Sequence, residues 1–375
     1  MNHRRVVSSA LLGAALMISA TVVLVLPASA APSFSSEQAV IAAAEKTPTK
    51  ISQTVPLPKT PPKGKKLVFL VANNPNANLA WEGAAAAAKA VGWKFTHIVY
   101  DPTNLATLEA SFASALALKP TIVAESGLAQ SQFGASTIRD YAKAGVPIIV
   151  AAATPVTPTK TILGPVQGVS VFSGGGSILA NWFVNDSQGT GSALVVDVPA
   201  FPVLAAFGGS FSSTVASLCS SCSVDTLDIP LSEVDAGQAV SAVVAHLQAN
   251  PAIHYVFWCD SDFGIGIDSA LKAAGLTDVK VGSQLMDSSA QAAIQAGTES
   301  VSTGFAGEYQ GYAVVDMALR WVEHAPLGHL DATSPTQLFT STNITSSIFG
   351  GTAVFSAPSN ALQQFEKLWK VKITS

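Results

Sequence analysis

Residues 66–92 read KLVFLVANNPNANLAWEGAAAAAKAVG, and the rest of the chain is best understood outward from them. The apolar run at residues 67–72 has the length and composition of a strand buried on both faces of a parallel sheet. Asn73, Asn74 and Pro75 break it and signal a turn. Leu79, Ala80, Trp81, Glu82 and Gly83 lead into a run of alanines, which reads as a helix because alanine gives up no side-chain entropy in one. Gly92 stops it. Strand, polar turn and helix are the first half of a βαβ unit. In such sheets ligands lie outside the carboxyl ends of the strands. The turn at residues 73–78 is therefore the first candidate for function.

The alternation continues downstream. Strands are expected at 95–100, 121–124, 146–150 and 168–172, with helices at 105–118 and 133–144. A second series starts at Ser177: helix 178–185, strand 193–198, helix 207–218, strand 224–229, helix 236–248, strand 255–259, a helix ending at Gly275, and strand 279–282. Two similar α/β lobes with parallel sheets covered on both faces are the simplest account. Upstream, residues 47–66 are rich in Pro, Thr and Lys and read as a linker or a strap lying along a domain, after a short helix at 35–46.

This order of segments resembles the sugar-binding proteins of bacterial ABC importers, the ribose-binding type of periplasmic binding protein. Asn73-Asn74-Pro75 follows the first strand as in that family, with Gly83 eight residues beyond Pro75. Tyr255-Val256-Phe257, the polar loop 260–262, Gly266 and the run 271–275 look like the family's strand, ligand loop and helix. Val281-Gly282 and then 302–305 look like its last strands. The similarity covers roughly residues 66–320. It implies two Rossmann-like lobes joined by a multi-strand hinge, with a small-molecule ligand in the cleft between them. The implied crossings lie near Phe172-Ser173, Gln284-Leu285 and 305–308. On that basis residues 1–30 are a signal peptide and 31–65 an extension. Residues 66–172 plus 285–305 form the N-terminal lobe, 173–284 plus 306–345 the C-terminal lobe, and 346–375 a tail of uncertain lobe.

The resemblance places ligand contacts on Asn74, Asn76, Gln130, Gln132, Phe201, Glu233, Asp260, Ser261, Gln284 and Glu308. Asparagine side chains both donate and accept, which suits hydroxyls and amides. The plainer role of Asn73, Asn74 and Asn76 is turn-making and helix capping. The chain departs from the family at telling places. Asn76 and Ala77 stand where sugar binders carry two stacking aromatics, the loop at 199–207 holds no charge where an Arg is usual, and Ser261 aligns with the usual Asp. A pocket without Arg lacks bidentate hydroxyl recognition. Trp81, Phe133, Phe201, Trp258 and Phe263 are alternative sources of apolar contact, though such residues are more often core. A ligand less polar than a pentose is expected.

Asp260 and Asp262 alternate as calcium ligands do, but the remaining ligands of such a loop are missing, and no metal or cofactor is expected. Ser173-Gly174-Gly175-Gly176-Ser177 is neither a P-loop nor a dinucleotide fingerprint and is expected to flex at the hinge. The net charge is −4 and 12% of residues are charged, with no basic stretch, which argues against a nucleic-acid partner.

Arg4-Arg5, the apolar run 11–26 and Ala28-Ser29-Ala30 read as a signal peptide rather than an uncleaved anchor. Export to the periplasm or cell surface follows. No cysteine near the cleavage site supports a lipid anchor. Cys219 and Cys222 are expected to close a local disulfide, the alternatives being a redox pair or a metal site, and Cys259 to be a buried thiol. The leading expectation is a monomeric, non-enzymatic binding component that delivers its ligand to a membrane ABC permease. The alternative is an extracellular sensor presenting its ligand to a receptor. A secreted enzyme is disfavoured, since no Gly-x-Ser-x-Gly or His-Glu-x-x-His motif is present.

Overall fold

Two parallel-type sheets organise the chain. The computed structural model describes residues 33–327, 334–344 and 355–373. The expected signal peptide and residues 346–354 and 374–375 of the expected tail lie outside them. The first sheet holds β1 (Lys66–Ala72), β2 (Lys94–Tyr100), β3 (Ile122–Ser126), β4 (Ile148–Ala151) and β5 (Ile162–Val166), all parallel, in the order β2-β1-β3-β4-β5. The second holds β6 (Ser192–Asp197), β7 (Ser223–Asp228), β8 (Tyr255–Trp258), β9 (Lys280–Gln284), β10 (Val301–Phe305) and β11 (Thr336–Phe339), in the order β11-β10-β9-β8-β6-β7. Only β11 runs antiparallel to its neighbour.

Strand periodicity divides the core of the first lobe. Val68, Leu70 and Ala72 of β1 face Leu108, Phe112 and Ala115 of α3 (Leu105–Ala117) and Tyr141 of α4 (Ala135–Ala144). Leu67, Phe69 and Val71 face the alanines of α2 (Pro75–Ala90) and the apolar side of α11 (Gly307–Val322). These two helices approach closely through small residues: a Cβ at Gly311 would lie 2.2 Å from the Ala80 carbonyl oxygen. In the second lobe α5 (Val169–Asp186) packs on α6 (Ala205–Leu218), and Phe183, Phe211 and Phe257 meet between them and the sheet.

Three expectations need correction. Residues 168–172 are not a strand; β5 lies earlier, and Val169 begins α5. The glycines at 174–176 are inside that helix and form no hinge loop. At Gly175 and Gly176 the lack of a side chain is used for packing, since a Cβ at Gly175 would meet the Gln284 side chain and one at Gly176 the Phe207 carbonyl oxygen, while Gly174 faces open space. Finally, the lobe assignment of residues 285–322 is reversed. Residues 301–305 pair with β9 in the second sheet, so the chain does not cross at Gln284-Leu285. It crosses after Phe305, and α11 then packs on α2 in the first lobe. It returns to the second sheet for β11. Gln167, in the first crossing, donates Nε2–H to Ser334 Oγ just before β11 at 2.8 Å, tying two crossings together.

The N-terminal extension touches both lobes. Helix α1 (Ser35–Ala44) packs on α5 and β11. Residues 46–65 then lie along the first lobe against α11 and α12 (Ala361–Trp369). Ile51 N–H donates to Gln364 Oε1, Ser52 N–H to the Tyr309 hydroxyl and Leu57 N–H to the Leu368 carbonyl. Cys219 and Cys222 are joined, S–S 2.08 Å, and Cys259 is a buried free thiol. Among the described residues no helix is long and apolar enough to cross a membrane.

Candidate functional site

The cleft between the lobes is built from strand ends, as chain direction requires in a parallel sheet. From the first lobe come Ala72 at the end of β1 with Asn74, Asn76 and Ala77 beyond it, Ser126 at the end of β3 with Gly127 beyond it, and Ala152 after β4. Gln310 enters from the start of α11. From the second lobe and the crossings come Phe172, Phe201, Val203, Leu204, Asp260, Phe263, Leu285 and Phe305. The first wall is small and neutral-polar; the second is apolar and aromatic with one carboxylate. Ala152 and Leu285 stand at φ +47° and +58°, in the left-handed region that side chains other than glycine enter at a cost of about 1–3 kcal/mol. Both line the cleft.

Asn74 begins α2. Its Oδ1 accepts from the Ala77 N–H at 2.7 Å, capping the helix, while Pro75 follows at a position whose missing N–H is no loss. Asn76 then projects across the cleft. Its Nδ2–H donates to Asp260 Oδ1 at 3.2 Å, so a first-lobe amide and a second-lobe carboxylate meet directly. The same Oδ1 accepts from the Asp262 N–H at 3.1 Å. Asp260 is 9% exposed, and burial first, then the Asp262 charge, holds its carboxyl well above the usual range. Both oxygens of Asp262 are shut from solvent without a well-formed hydrogen bond, the Asn76 backbone N–H offering partial compensation. Burial and the Asp287 charge raise its carboxyl as well. Ser261 Oγ donates to the Leu285 carbonyl at 2.8 Å and accepts from the Asp287 N–H at 2.9 Å, fixing this loop to the end of β9.

Of the ten expected ligand contacts, Asn74, Asn76, Phe201 and Asp260 line the cleft. The other six do not. Gln130 Oε1 accepts from the Thr157 N–H of the loop after β4 and Gln132 Oε1 from the Ala129 N–H of its own loop, so both amides are taken up by loop backbone. Glu233 lies on the short helix α7 (Leu231–Asp235). Ser261 and Gln284 are buried behind the cleft wall, Gln284 donating Nε2–H to the Cys259 carbonyl at 3.4 Å. Glu308 accepts from the Ser356 and Tyr312 hydroxyls. Of the aromatic candidates, Phe263 lines the cleft beside Phe201, their rings 6.3 Å apart and 13° from parallel. Phe133 and Trp258 are core, and Trp81 stacks on His97. Gln310 was not anticipated. It is reached only because α11 returns to the first lobe with its N-terminus at the cleft, where Ser126 Oγ donates to its Oε1 at 3.2 Å.

Residues 67–325, well over half of the chain, match the family described as the periplasmic binding protein domain. The chain belongs to the periplasmic binding protein family. No curated protein sequence matches it significantly. Solved structures of similar fold include a periplasmic ribose ABC transporter protein from Conexibacter woesei, at 19% identity and TM-score 0.65, covering 78% of this chain and 97% of that one. A solute-binding protein from Agrobacterium vitis with bound alpha-D-tagatopyranose is 20% identical, with TM-score 0.64 over 75% of this chain and 97% of that one. One from Burkholderia graminis in complex with D-arabinose is 15% identical, with TM-score 0.64 over 76% and 98%. This periplasmic binding protein thus has the two-lobed α/β architecture of that group and a solute-binding role.

Proposed function

We propose that this protein is the substrate-binding component of an ABC-type importer, closing its lobes on a small molecule that is sugar-like or less polar, and delivering it to a membrane permease. The observation that carries the reading is the cleft itself. It is lined from the carboxyl ends of strands in both lobes and bridged by Asn76 and Asp260. Asn74, Asn76, Ser126 and Gln310 supply neutral hydrogen bonding; Phe172, Phe201, Phe263 and Phe305 supply apolar surface; Asp260 supplies an acceptor. The crossings at residues 167–168 and 305–307 absorb the backbone change on closure. The apparent signal segment supports action outside the cytoplasm. No chemistry is assigned to the cleft.

A thermal-shift panel of sugars, polyols, nucleosides, amines and aromatic acids tests this. A ligand at 100 times its dissociation constant adds about 2.7 kcal/mol to the stability of the native state. One responding compound class, lost on Asn76→Ala, is the expected result. A ligand whose binding is untouched by changes at Asn76 and Phe201 would move the site elsewhere.

A further inference from the structure

The charge of the cleft is one-sided. Among the described lining residues Asp260 alone is ionisable. Its Oδ1 already accepts from Asn76 and Asp262, while its Oδ2 takes no hydrogen bond from any described residue. Asp262 and Asp287 stand close enough behind it to act on it electrostatically. Among the described residues no Lys, Arg or His forms an ion pair with any of the three. Nor, among the described residues, do three His, Cys, Asp or Glu side chains stand together so as to hold a metal ion. The same cleft is lined by aromatic rings, with Phe201 and Phe263 nearly parallel.

We propose that the ligand is an organic ammonium compound with an apolar or aromatic body, its nitrogen received by Asp260 and its body held against Phe201 and Phe263. This rests on the binding reading above and narrows its ligand class. A buried carboxylate without a counter-charge is costly, and like charges beside it add to the cost. A neutral polyol removes neither cost, since its hydroxyls bring no charge. An ammonium group removes both and forms the stronger, charge-assisted hydrogen bond. Aromatic faces favour a cation close to them. The missing Arg in the loop at 199–207 fits the same reading, because a guanidinium there would already neutralise the site.

The test uses matched pairs that differ only in the charged group, titrated calorimetrically against the purified protein near neutral pH. Tyramine is compared with 4-(2-hydroxyethyl)phenol, and D-glucosamine with D-glucose. The expected result is that an amine binds about tenfold or more tighter than its neutral partner, the worth of a hydrogen bond between charged groups. Asp260→Asn should erase that ratio by weakening the amine by about tenfold or more. The Asn side chain retains an oxygen for the Asn76 and Asp262 donors. The wild-type ratio decides the matter even if that variant fails to fold. Equal or tighter binding of the neutral member in both pairs overturns the proposal, as does a ratio that survives Asp260→Asn. If a neutral sugar binds and no amine does, the ammonium reading falls while the binding function stands. If nothing in the wider panel binds, both fall.

Discussion

Arg320→Met breaks the clamp between the N-terminal strap and the two helices beneath it. Asp316 on α11 is its centre. Arg320 donates Nε–H to Asp316 Oδ2 at 2.6 Å and Nη2–H to Oδ1 at 3.2 Å. Trp369 Nε1–H of α12 reaches Oδ1 at 2.7 Å, and Gln53 Nε2–H of the strap reaches Oδ2 at 3.2 Å. Arg320 also donates to the Val55 carbonyl oxygen at 2.5 Å. Both ionic side chains are 0% exposed. Removing the cation leaves a buried carboxylate with two neutral donors and orphans the Val55 carbonyl, a loss of about 3–5 kcal/mol. That is a large part of the roughly 5–15 kcal/mol by which such proteins are stable.

Protonation limits the damage. Burial already raises the Asp316 carboxyl, and the Arg320 hydrogen bond and charge lower it; without Arg320 it rises further. The deficit of Arg320→Met should therefore shrink as pH falls, because the wild type loses its ion pair and the variant has none to lose. Adding Asp316→Asn removes the stranded charge, so the double variant should be more stable than Arg320→Met alone. Urea unfolding followed by tryptophan fluorescence measures all three proteins. An Arg320→Met loss under about 1 kcal/mol, or a double variant no better than the single, would refute the reasoning.

Glu125 is fully buried, its Oε1 accepting from the Tyr100 hydroxyl and the Leu128 N–H, and burial pushes its carboxyl up to about 8 from 4.5. The native state thus keeps a proton that the unfolded chain has released, so its stabilisation is complete below about 4.5 and is lost as pH rises through about 8. Denaturant titrations from acid to alkaline pH should show Glu125→Gln with a shallower fall than wild type, by up to about 1.4 kcal/mol per pH unit; an identical slope contradicts this. Gly311→Ala pushes α2 and α11 apart, since its Cβ would lie 2.2 Å from both the Ala80 oxygen and the Ala84 nitrogen. A loss of about 1–3 kcal/mol is expected in thermal melts, and an unchanged melting temperature would show that the helices part freely. Replacing Cys219 and Cys222 by Ser opens a short loop and should cost about 2 kcal/mol, with reductant having the same effect on wild type and none on the variant.

The central strands were legible because they are buried on both faces and read as continuous apolar runs, as β1 and β8 do. β5 was not. Its sequence ILGPV reads as a loop, yet the edge of the first sheet accepts a proline because no ladder bond is lost there. GVSVF at 168–172 alternates like a strand but starts α5. The three glycines that follow look flexible in isolation, and only the approach of Gln284 and Phe207 explains Gly175 and Gly176. Nothing in the string 285–305 says which sheet its strand will join, so the lobe assignment of residues 285–322 went astray. The cleft was legible where it follows from strand ends, as at Asn74, Asn76, Phe201 and Asp260. It was illegible where a side chain is claimed by loop backbone, its own at Gln132 and that of the next loop at Gln130, or where a helix brings a residue back from afar, as α11 brings Gln310.

The account stands on one claim, that a small molecule is held by both lobes at once. Hydrogen exchange of the protein with and without a saturating hit from the ligand panel tests it most directly. Residues 74–77 and 126–128 of the first lobe should gain protection together with 201–204 and 260–263 of the second. Protection confined to one lobe, or appearing away from these loops, would contradict it.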